Sequence, residues 1–425
     1  MKKRLLLLLF VAACAPMAVA PPPMTPAPLA PQPAPAPAPP PTPTPAPPSG
    51  GTEQMTFDAW KASFLSRHGG ANRGAFEREL AGLTPDMSVV RSDGNQPEFS
   101  RPVGAYVQAA ASADKVRMGR QRLDRVPWEV EQRLGVPKEI LVAIWAQESA
   151  FGAIQGDKDV IRSLATLAWE GRRRDWAEGQ LANALKIVIE GRRDRSGLLG
   201  SWAGAMGQTQ FMPDNYLNLA IDGDGDGRVD IWGSDADALA SAANLLNKAG
   251  WKRGQGWAYE VVLPQGFDYG LADSAERPWS DWSRQGVTLA RGGSLSTAEA
   301  AQQATILLPQ GADGPAFLAL PNHYMIRRYN NSVAYALAIG LIADGLADKP
   351  GLVASWPSDE GLSRDQRFGA QRALQALGYD PGGVDGVIGA GTRRALKAWQ
   401  QANGVRADGY LSSYLADTLI AAANR

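Results

Sequence analysis

Hydrophobic residues recur with helical spacing over much of the chain, and the densest run occupies residues 136–152. Pro137 suits the first turn of a helix and Gly152 suits its end, so the pattern predicts one buried helix between them. The residues three, four and seven positions before Glu148 are all apolar: Trp145, Ile144 and Leu141. We therefore place Glu148 on the inner face, where desolvation would raise the pKa of its carboxyl and suit it to general acid catalysis.

The rest of the pattern is helical except for one segment. Helical spacing covers much of 57–65, 103–134, 163–169 and 332–346. Between Trp257 and Leu308 the pattern changes to short runs typical of β-strands, separated by Gly, Pro and Ser: 259–263, 286–290 and 304–308. We therefore predict a mainly α fold with α+β character, in which a small sheet is inserted in a helical domain.

Composition narrows the classes of function. The chain has 425 residues, 44% of them apolar, which is enough for two or three domains with their own cores. The net charge is zero, which gives no reason to expect nucleic acid as a partner. Two histidines, His68 and His323, and one cysteine are too few for a typical zinc site. The two histidines fit surface or packing positions, and their scarcity also argues against a Ser-His-Asp hydrolase.

The first residues predict export and a lipid anchor. Residues 2–4 are basic and residues 5–10 are apolar, a run too short to cross a membrane. This segment resembles a bacterial lipoprotein signal, which implies that residues 1–13 are removed and that Cys14 is lipidated. Signals that retain a lipoprotein at the inner membrane often have Asp after the cysteine, whereas this chain has Ala15. We therefore expect a lipid-anchored protein in the periplasm, attached to the outer membrane.

A proline-rich spacer follows Cys14. Residues 21–50 are almost entirely Pro, Ala and Thr, which favour extended polyproline II and cannot bury a core. Fully extended, the spacer would reach on the order of 90 Å. We predict that residues 14–51 form the lipidated cysteine and its linker, which suits a protein that works on a layer some distance from its membrane.

A second informative block occupies residues 200–213. It mixes neutral hydrogen-bonding groups with flat apolar faces: Ser201, Gln208 and Gln210, with Trp202 and Phe211. Sugars are bound by that mixture, because their hydroxyls need polar partners and their ring faces need apolar ones. A simple turn between helices would explain the glycines of the block but not its two glutamines beside Met and Phe.

Three adjacent arginines, at 172–174, follow the predicted helix at 163–169. Such a group forms a solvated face in many proteins. It could equally bind an anionic or carboxylate-bearing ligand, since a guanidinium group binds a carboxylate through two parallel hydrogen bonds. The residues alone leave both interpretations open.

Three blocks, at 143–152, 164–168 and 200–213, stand in the order found in the B-type membrane-bound lytic murein transglycosylases, which the chain resembles over most of 57–346. The resemblance implies a lysozyme-like helical catalytic domain, here 52–348, that cleaves the glycan strands of peptidoglycan. It favours Glu148 as the catalytic acid over a glutamate that only ends the helix or pairs with an arginine. It also implies glycan contacts that join the candidate Gln208: Ser201, Gln210, Tyr329, Asn330, Arg172 and Arg173. The arginine pair matches the family pattern only with a shift of one position, because this chain is one residue shorter than the family just before it.

A lytic transglycosylase needs one catalytic carboxylate, whereas ordinary glycosidases use a second one as nucleophile or as base for water. By family resemblance, the C6 hydroxyl of N-acetylmuramic acid attacks its own anomeric carbon and closes a 1,6-anhydro ring, so the nucleophile is already attached. Glu148 would first protonate the leaving oxygen and then accept the C6 hydroxyl proton. We expect no cofactor for catalysis.

An acidic segment predicts a calcium site. It supplies oxygen ligands on alternate residues, as at the start of an EF-hand loop: Asp222, Asp224, Asp226 and the backbone carbonyl of Arg228. Gly233 occupies the position of the closing glutamate, so Asp237 or Asp235 would have to close the site. We favour a structural calcium ion over an acidic turn without metal, since carboxylates and carbonyls prefer hard cations.

The C-terminal residues predict a separate module. The segments 371–379, 384–389 and 398–409 read as helices joined by Asp-Gly turns. At this spacing they resemble the three-helix peptidoglycan-binding module found at the ends of many cell-wall enzymes. We predict a linker at 349–359 and a peptidoglycan-binding domain at 360–425, with peptidoglycan glycan strands as the partner of the whole chain.

Three other functions fit the sequence less well. A muramidase would use water as nucleophile and would need a second catalytic carboxylate near the motifs, where none is obvious. A non-catalytic wall-binding lipoprotein would keep the anchor and the module but would lose Glu148 or the block at 200–213, and both are present. A wall amidase or peptidase would need metal ligands or a nucleophile pair, which the sequence does not visibly offer.

Overall fold

The computed structural model describes residues 55–93 and 101–424. The described chain divides into two compact units, one with residues 55–93 and 117–248 and the other with residues 101–116 and 249–424. Among the helices of these residues, none combines the length and the apolar character that a membrane span needs.

The predicted domains are continuous segments of the sequence, whereas each of these two units groups residues by their contacts in space. The signal peptide at 1–13, the lipidation site Cys14 and the linker to residue 51 lie outside the described residues. The limits at 348 and 360, on either side of the second linker, stay predictions.

α-Helices are the main regular secondary structure of both units. In chain order they are α1 (Phe57–His68), α2 (Arg73–Leu80), α3 (Met87–Asp93), α4 (Val103–Ala110), α5 (Ala113–Arg120), α6 (Trp128–Leu134), α7 (Lys138–Ser149), α8 (Val160–Glu170), α9 (Arg174–Ile189), α10 (Pro213–Leu219), α11 (Asp235–Ala249), α12 (Trp279–Arg284), α13 (Thr297–Ala300), α14 (Pro321–Ile326), α15 (Val333–Leu346), α16 (Arg364–Ala376), α17 (Ala390–Ala402) and α18 (Ser413–Ala423). The division between the units falls within α5, so α4 and α12 to α18 belong to the second unit.

Local sequence explains where several helices begin and end. Asp159 caps α8, because its carboxylate accepts a hydrogen bond from the backbone N–H of Arg162 (2.9 Å). This helix therefore begins before residue 163, where apolar spacing alone predicted its start. The predicted helical run at 103–134 is divided into α4, α5 and α6, and Pro127 stands at the start of α6, where its missing N–H does no harm.

A small antiparallel sheet lies in the second unit. The strands of the described residues are β1 (Lys158–Asp159), β2 (Leu199–Gly200), β3 (Ala258–Val262), β4 (Glu276–Arg277), β5 (Thr288–Leu289), β6 (Ala304–Leu307) and β7 (Ala316–Ala319). The sheet has the order β4-β6-β7-β3-β5, and β1 pairs with β2 in the first unit. β5 and β6 fall within the predicted β-like runs, and β3 overlaps the first run but begins one residue earlier, at Ala258. The prediction omits β4, which has only two residues, and β7, whose sequence Ala-Phe-Leu-Ala has no β-branched residue, unlike the equally buried β6.

The C-terminal helices α16, α17 and α18 enclose a small core of their own, which includes Leu374, Leu396, Trp399 and Leu419. This module contacts segments that flank the strands of the sheet within the second unit. Arg393 Nη2 donates to the carbonyl of Leu308 (2.8 Å), and Lys397 Nζ donates to the carbonyl of Ala272 (2.6 Å). Both side chains also pair with Asp273 Oδ2, at 3.0 and 3.4 Å. Burial lowers the pKa of Lys397, and the charge of Asp273 opposes that shift.

His323, in α14, is a fully buried histidine. Its ring stacks on Trp257, with 6.3 Å between ring centroids, and neither ring nitrogen makes a hydrogen bond within the part of the chain that the structure describes. Burial, and to a smaller degree the charge of Arg327, lower the pKa of His323 to about 3. The side chain is therefore neutral in the folded protein and acts as a packing residue.

We predict that His323→Phe makes the protein less sensitive to acid. The unfolded chain takes up a proton near the ordinary histidine pKa of about 6.5, whereas the folded chain does so only near 3, so stability is lost as the pH falls below 6.5. Between pH 7.5 and pH 5 this group removes about 2 kcal/mol from the free energy of unfolding. Urea unfolding at both pH values measures the loss, and an equal loss in the phenylalanine variant would contradict the prediction.

Candidate active site

The helix that bears Glu148 is α7, and it is buried along almost its whole length. From Ile140 onward every residue of α7 is buried, and Glu148 itself is 1% exposed. The three apolar neighbours identified from helical spacing are buried with it: Leu141, Ile144 and Trp145. The predicted placement of Glu148 in an apolar environment is therefore present in the structure.

The chain turns sharply directly after Glu148. Ala150 and Phe151 have φ angles of 50° and 61°, a left-handed conformation that residues with side chains rarely adopt. Ser149 supports this turn, because its hydroxyl accepts a hydrogen bond from the backbone N–H of Gly152 (2.8 Å). The ring of Phe151 also packs edge-on against Trp145, with 5.7 Å between centroids. The surrounding packing thus holds a strained turn beside the candidate acid.

Gln208 joins the block at 200–213 to α7. Its Oε1 accepts a hydrogen bond from Trp145 Nε1 (2.8 Å), and its Nε2 donates to Asp235 Oδ1 (3.1 Å). A Cβ atom at Gly152 would lie 2.5 Å from Gln208 Oε1, so only glycine permits this approach. Gln208 was predicted to contact substrate, and in the structure both ends of its buried amide bind other residues of the protein.

The block at 200–213 folds back on itself as a compact loop. Met206 forms isolated β-bridges with Gly200 and with Phe211. The hydroxyl of Ser201 accepts a hydrogen bond from the backbone N–H of Ala205 (3.0 Å), and the Ser201 side chain is buried. The backbone N–H of Ser201 also donates to the carbonyl of Ala205 (2.8 Å), so backbone and side chain of Ser201 both stabilise the loop.

Gln210 and Trp202, in the same loop, have buried polar side-chain atoms. Gln210 has a φ of 52°, and its Nε2 donates to the carbonyls of Gln155 (3.0 Å) and Gly207 (2.8 Å). Gln210 Oε1 and Trp202 Nε1 are buried and have no hydrogen-bond partner within residues 55–93 and 101–424. Buried polar atoms of native proteins are almost always satisfied, so these two suit hydrogen bonds to a bound ligand or to water.

The arginines at 172 and 173 share one buried carboxylate. Arg172 Nε donates to Asp93 Oδ2 (2.8 Å), and Arg173 Nη2 pairs with Asp93 Oδ1 (3.0 Å). The guanidinium of Arg173 also lies over the rings of Trp176 and Trp202, at 4.6 and 5.8 Å from their centroids. Burial lowers the pKa of Arg173, and the charge of Asp93 opposes that shift. Arg173 therefore belongs to a buried cluster and not to a solvated face.

Tyr329 and Asn330 belong to the second compact unit, whereas Glu148 and the loop at 200–213 belong to the first. They follow α14, where the backbone N–H of Tyr329 donates to the carbonyl of Ile326 (3.0 Å). Asn330 comes two residues before Ser332, which caps α15. Asn330 therefore lies just before a helix begins.

The acidic segment brings three carboxylates together. One oxygen from each of Asp222, Asp224 and Asp237 lies within 4.8 Å of the others. Asp237 is buried and accepts hydrogen bonds from the backbone N–H groups of Gly223 (2.7 Å) and Asp230 (2.6 Å). Backbone hydrogen bonds from Gly227 and Gly225 hold the pKa of Asp222 below its usual value. Three hard oxygen donors on a rigid frame suit a calcium ion.

The other predicted ligands of this site lie outside that group of three. Asp226 Oδ1 accepts a hydrogen bond from the backbone N–H of Arg228 (2.8 Å). Asp235, the alternative closing residue, accepts from Gln208 and pairs with Arg125 at 3.7 Å. The structure thus favours Asp237 over Asp235 as the closing carboxylate.

Sequence reasoning did not identify a second group beside α7. A cavity of about 340 Å³ is lined by Gln121, Arg122, Arg125, Trp145, Phe151 and Asp235. The guanidinium of Arg122 lies over the ring of Phe151, 4.6 Å from its centroid. Arginines in a polar stretch carry no signal of such a role, and neither does Asp93, which is far from its arginines in sequence.

Residues 56–344, more than half of the chain, match the family model of the transglycosylase SLT domain. The chain belongs to this family. Residues 363–419 match the model of a peptidoglycan binding domain, which agrees with the module predicted at 360–425. Both family predictions are thereby confirmed.

Several solved structures of transglycosylases are similar to this chain. SltB3 from Pseudomonas aeruginosa, in complex with NAG-NAM-pentapeptide, is 49% identical with a TM-score of 0.80, and the match covers 86% of this chain and 100% of that one. A complex of SltB3 with NAG-anhNAM-pentapeptide matches at 48% identity and the same TM-score, covering 86% and 99%. Escherichia coli Slt35, in complex with calcium, is 30% identical with a TM-score of 0.58, covering 68% and 92%. The predicted fold class, a lysozyme-like helical domain with a small sheet and a helical C-terminal domain, is confirmed.

A curated relative extends the comparison. Membrane-bound lytic murein transglycosylase B of Escherichia coli (strain K12) is 34% identical over 222 residues, which are 52% of this chain. The chain spans 59% of the length of that relative.

We predict that Trp145→Phe destabilises the SLT transglycosylase domain. The change removes the N–H that satisfies Gln208 Oε1 and leaves a buried acceptor without its partner, which costs about 1–3 kcal/mol. Chemical denaturation measures this loss. Trp128→Phe is the control, since Trp128 is 63% exposed, and equal stability of the two variants would refute the role of this hydrogen bond.

Proposed function

We propose that this chain is a lytic transglycosylase that cleaves the β-1,4 bond between N-acetylmuramic acid and N-acetylglucosamine in peptidoglycan and forms 1,6-anhydro-N-acetylmuramic acid. The observation that carries the proposal is Glu148, a carboxylate buried in an apolar helix whose end is joined to the loop at 200–213. Family membership supports it. The SltB3 complex with NAG-anhNAM-pentapeptide supports the anhydro product, since that ligand contains it.

One carboxyl group performs both proton transfers in this mechanism. Glu148 first donates its proton to the oxygen that leaves with N-acetylglucosamine, as the bond from that oxygen to the anomeric carbon breaks. The C6 hydroxyl of the same muramic acid then bonds to the anomeric carbon, and the Glu148 carboxylate accepts its proton. The glutamic acid is thereby restored. Because the nucleophile belongs to the substrate, no water molecule has to be positioned for the attack.

Polar atoms around the loop at 200–213 would orient the glycan. Gln210 Oε1 can accept a hydrogen bond from a sugar hydroxyl, and Trp202 Nε1 can donate one. Arg173 retains Nε and Nη1 without hydrogen-bond partners in the described residues, which suits a carboxylate or hydroxyl of the muropeptide. Ser201, Arg172, Tyr329 and Asn330 complete the proposed contacts, whereas Gln208 would act by holding the loop against α7.

We expect Glu148→Gln to abolish product formation, because an amide can neither donate the proton to the leaving oxygen nor accept one from the C6 hydroxyl. The full chain, solubilised in detergent, is incubated with purified peptidoglycan, and the muropeptides are analysed by mass spectrometry. Anhydro products are about 18 Da lighter than hydrolysis products, since water is not consumed. The loss of product in the variant should approach the detection limit.

Glu139→Gln is the matched control, since Glu139 lies in the first turn of the same helix and takes no part in the proposed chemistry. It should release anhydro products at nearly the rate of the unaltered chain. Products at the hydrolysed mass would identify a muramidase instead. Binding to peptidoglycan without any cleavage by the unaltered chain would indicate a non-catalytic wall-binding protein.

We infer that the acidic segment binds a structural calcium ion. The supporting observations are the three carboxylate oxygens within 4.8 Å and the buried Asp237, whose hydrogen bonds hold the segment in place. Asp226 and the carbonyl of Arg228 remain proposed ligands from the EF-hand spacing. The complex of the relative Slt35 with calcium supports the choice of metal. Such an ion would stabilise the loop, and no catalytic step depends on it.

Calcium should raise the thermal unfolding midpoint of the full chain, and its removal with a chelator should lower it, because the ion binds the folded state alone. Asp224→Asn should abolish the effect of calcium. Asp268→Asn, which alters an exposed turn remote in sequence, should keep it. An unfolding midpoint that is the same with calcium and with chelator would show that the segment is an acidic turn without metal.

We also propose that a lipid on Cys14 anchors the chain to the outer membrane, where the proline-rich linker lets it reach peptidoglycan from the periplasmic side. The basic and apolar residues before Cys14 support this, and so does the relative named as membrane-bound. Cys14→Ser should move the protein from the membrane fraction to the soluble fraction. Retention of the variant with membranes would contradict a lipid anchor at this residue.

A further inference from the structure

Two turns in the C-terminal module have the same construction. Each contains an Asp-Gly pair followed by the start of a helix, at 385–386 before α17 and at 408–409 before α18. In both, the side-chain amide of a glutamine from the preceding helix forms hydrogen bonds with the turn: Gln371 from α16 and Gln400 from α17. In each case the next helix begins four residues after the glycine. The module is therefore an internal repeat at the level of its turns.

The hydrogen bonds of the two turns correspond one to one. In the first, Gln371 Nε2 donates to Asp385 Oδ1 (2.9 Å), and Gln371 Oε1 accepts from the N–H of Gly386 (2.7 Å). Asp385 Oδ1 also accepts from the N–H of Val387 (2.9 Å). The second turn repeats these three contacts at 3.3, 2.8 and 3.0 Å with its own residues: Gln400, Asp408, Gly409 and Tyr410. In both turns the internal contacts use Oδ1 of the aspartate.

The second turn shows what the remaining oxygen binds. Asp408 Oδ2 accepts a hydrogen bond from the backbone N–H of Ala312 (3.0 Å), in the segment that follows β6. The residue before this N–H is Gly311, with a φ of 74°. The Cβ atom of an L-residue at Gly311 would lie 2.9 Å from Asp408 Oδ2 and 3.0 Å from the Cβ of Tyr410. The turn therefore accepts a backbone N–H that follows glycine in a left-handed conformation.

The first turn leaves its corresponding oxygen available. Asp385 is exposed, and within the described part of the chain all its hydrogen bonds use Oδ1. Gly383 stands where the second turn has Arg406, which pairs with Asp408 at 3.6 Å, so Asp385 lacks such a cation. Arg367 lies beside the turn and donates to the carbonyl of Gly386 (2.9 Å). Asp385 Oδ2 is therefore an exposed acceptor, and the nearby cation, Arg367, is bonded to the backbone of the turn.

We propose that the turn at 385–386 binds the stem peptide of peptidoglycan, with Asp385 Oδ2 accepting a backbone N–H that follows a D-residue. A positive φ is unfavourable for L-residues and is the mirror image of the conformation that they prefer, so D-residues adopt it readily. The Cβ atom of a D-residue also projects away from the position that collides with Asp408 in the second turn. The D-Ala-D-Ala end of a stem peptide supplies such an N–H.

This inference rests on the proposed function only in taking peptidoglycan as the ligand. It assigns the wall-binding module to the peptide, while the active site acts on the glycan. Arg367 would attract the carboxylates of the stem, since Arg favours carboxylate ligands. The chain's own segment at 311–312 occupies the second turn, which leaves the first turn for the peptide.

The test is calorimetric titration of the full chain in detergent with a free pentapeptide, L-Ala-γ-D-Glu-meso-diaminopimelate-D-Ala-D-Ala, and with its stereoisomer that ends in L-Ala-L-Ala. The unaltered chain should bind the first peptide about tenfold more tightly, because only that peptide donates its N–H without a clash. Asp385→Asn keeps an oxygen for Gln371 but replaces the free acceptor with an N–H donor, and it should weaken binding about tenfold. Asp380→Asn, at an exposed turn of the same module, should leave binding unchanged.

Equal affinity for the two peptides, no binding by the unaltered chain, or unaltered binding by Asp385→Asn would each overturn the inference. The stereoisomer comparison needs no variant, so it stands even where a substitution disturbs folding. Anhydro-product formation is measured separately. Peptide binding without that product would reject the proposed activity alone, and the product without stereoselective peptide binding would reject this inference alone.

Discussion

The burial of one carboxylate sets the requirements for the first unit. Glu148 is withdrawn from water on a helix that is buried on nearly all sides, so the neighbouring chain must enclose that helix without gaps. The strained turn after Glu148 is held by Trp145, which packs on Phe151 and donates its N–H to Gln208. Through Gln208, the same tryptophan fixes the loop at 200–213. The candidate acid and the candidate sugar-binding loop therefore depend on one side chain.

Charged groups near this site are held by carboxylates of the protein. Asp93 orders the pair at 172 and 173, and the rings of Trp176 and Trp202 stack on Arg173. A buried guanidinium is expensive unless it is paired, and here it is paired on one side only. The arrangement keeps donors in place for a ligand at low cost in side-chain entropy, since the side chain is already ordered before binding.

In the second unit, the C-terminal module forms hydrogen bonds and ion pairs with the segments beside the sheet. Arg393 and Lys397 of α17 bind backbone carbonyls and Asp273, and Asp408 receives the N–H of Ala312. Such contacts join the module to segments beside the sheet, within the second unit, through directional bonds to the backbone. The turn at 385–386 has the same construction, but within the described residues Asp385 Oδ2 accepts no hydrogen bond, which is why we assign this turn to a peptide.

The sequence by itself determined the helical class, the order of the motifs, the buried position of Glu148 and the family, because these depend on local periodicity and on residues close in the chain. It also identified the acidic segment and the Asp-Gly turns. Only the tertiary structure decided that Gln208 binds Trp145 of α7, that Asp93 pairs with two arginines distant in sequence, and that β7 completes the sheet. Those facts depend on which residues meet across long separations, and a buried strand or a distant carboxylate carries no local pattern that reveals its partner.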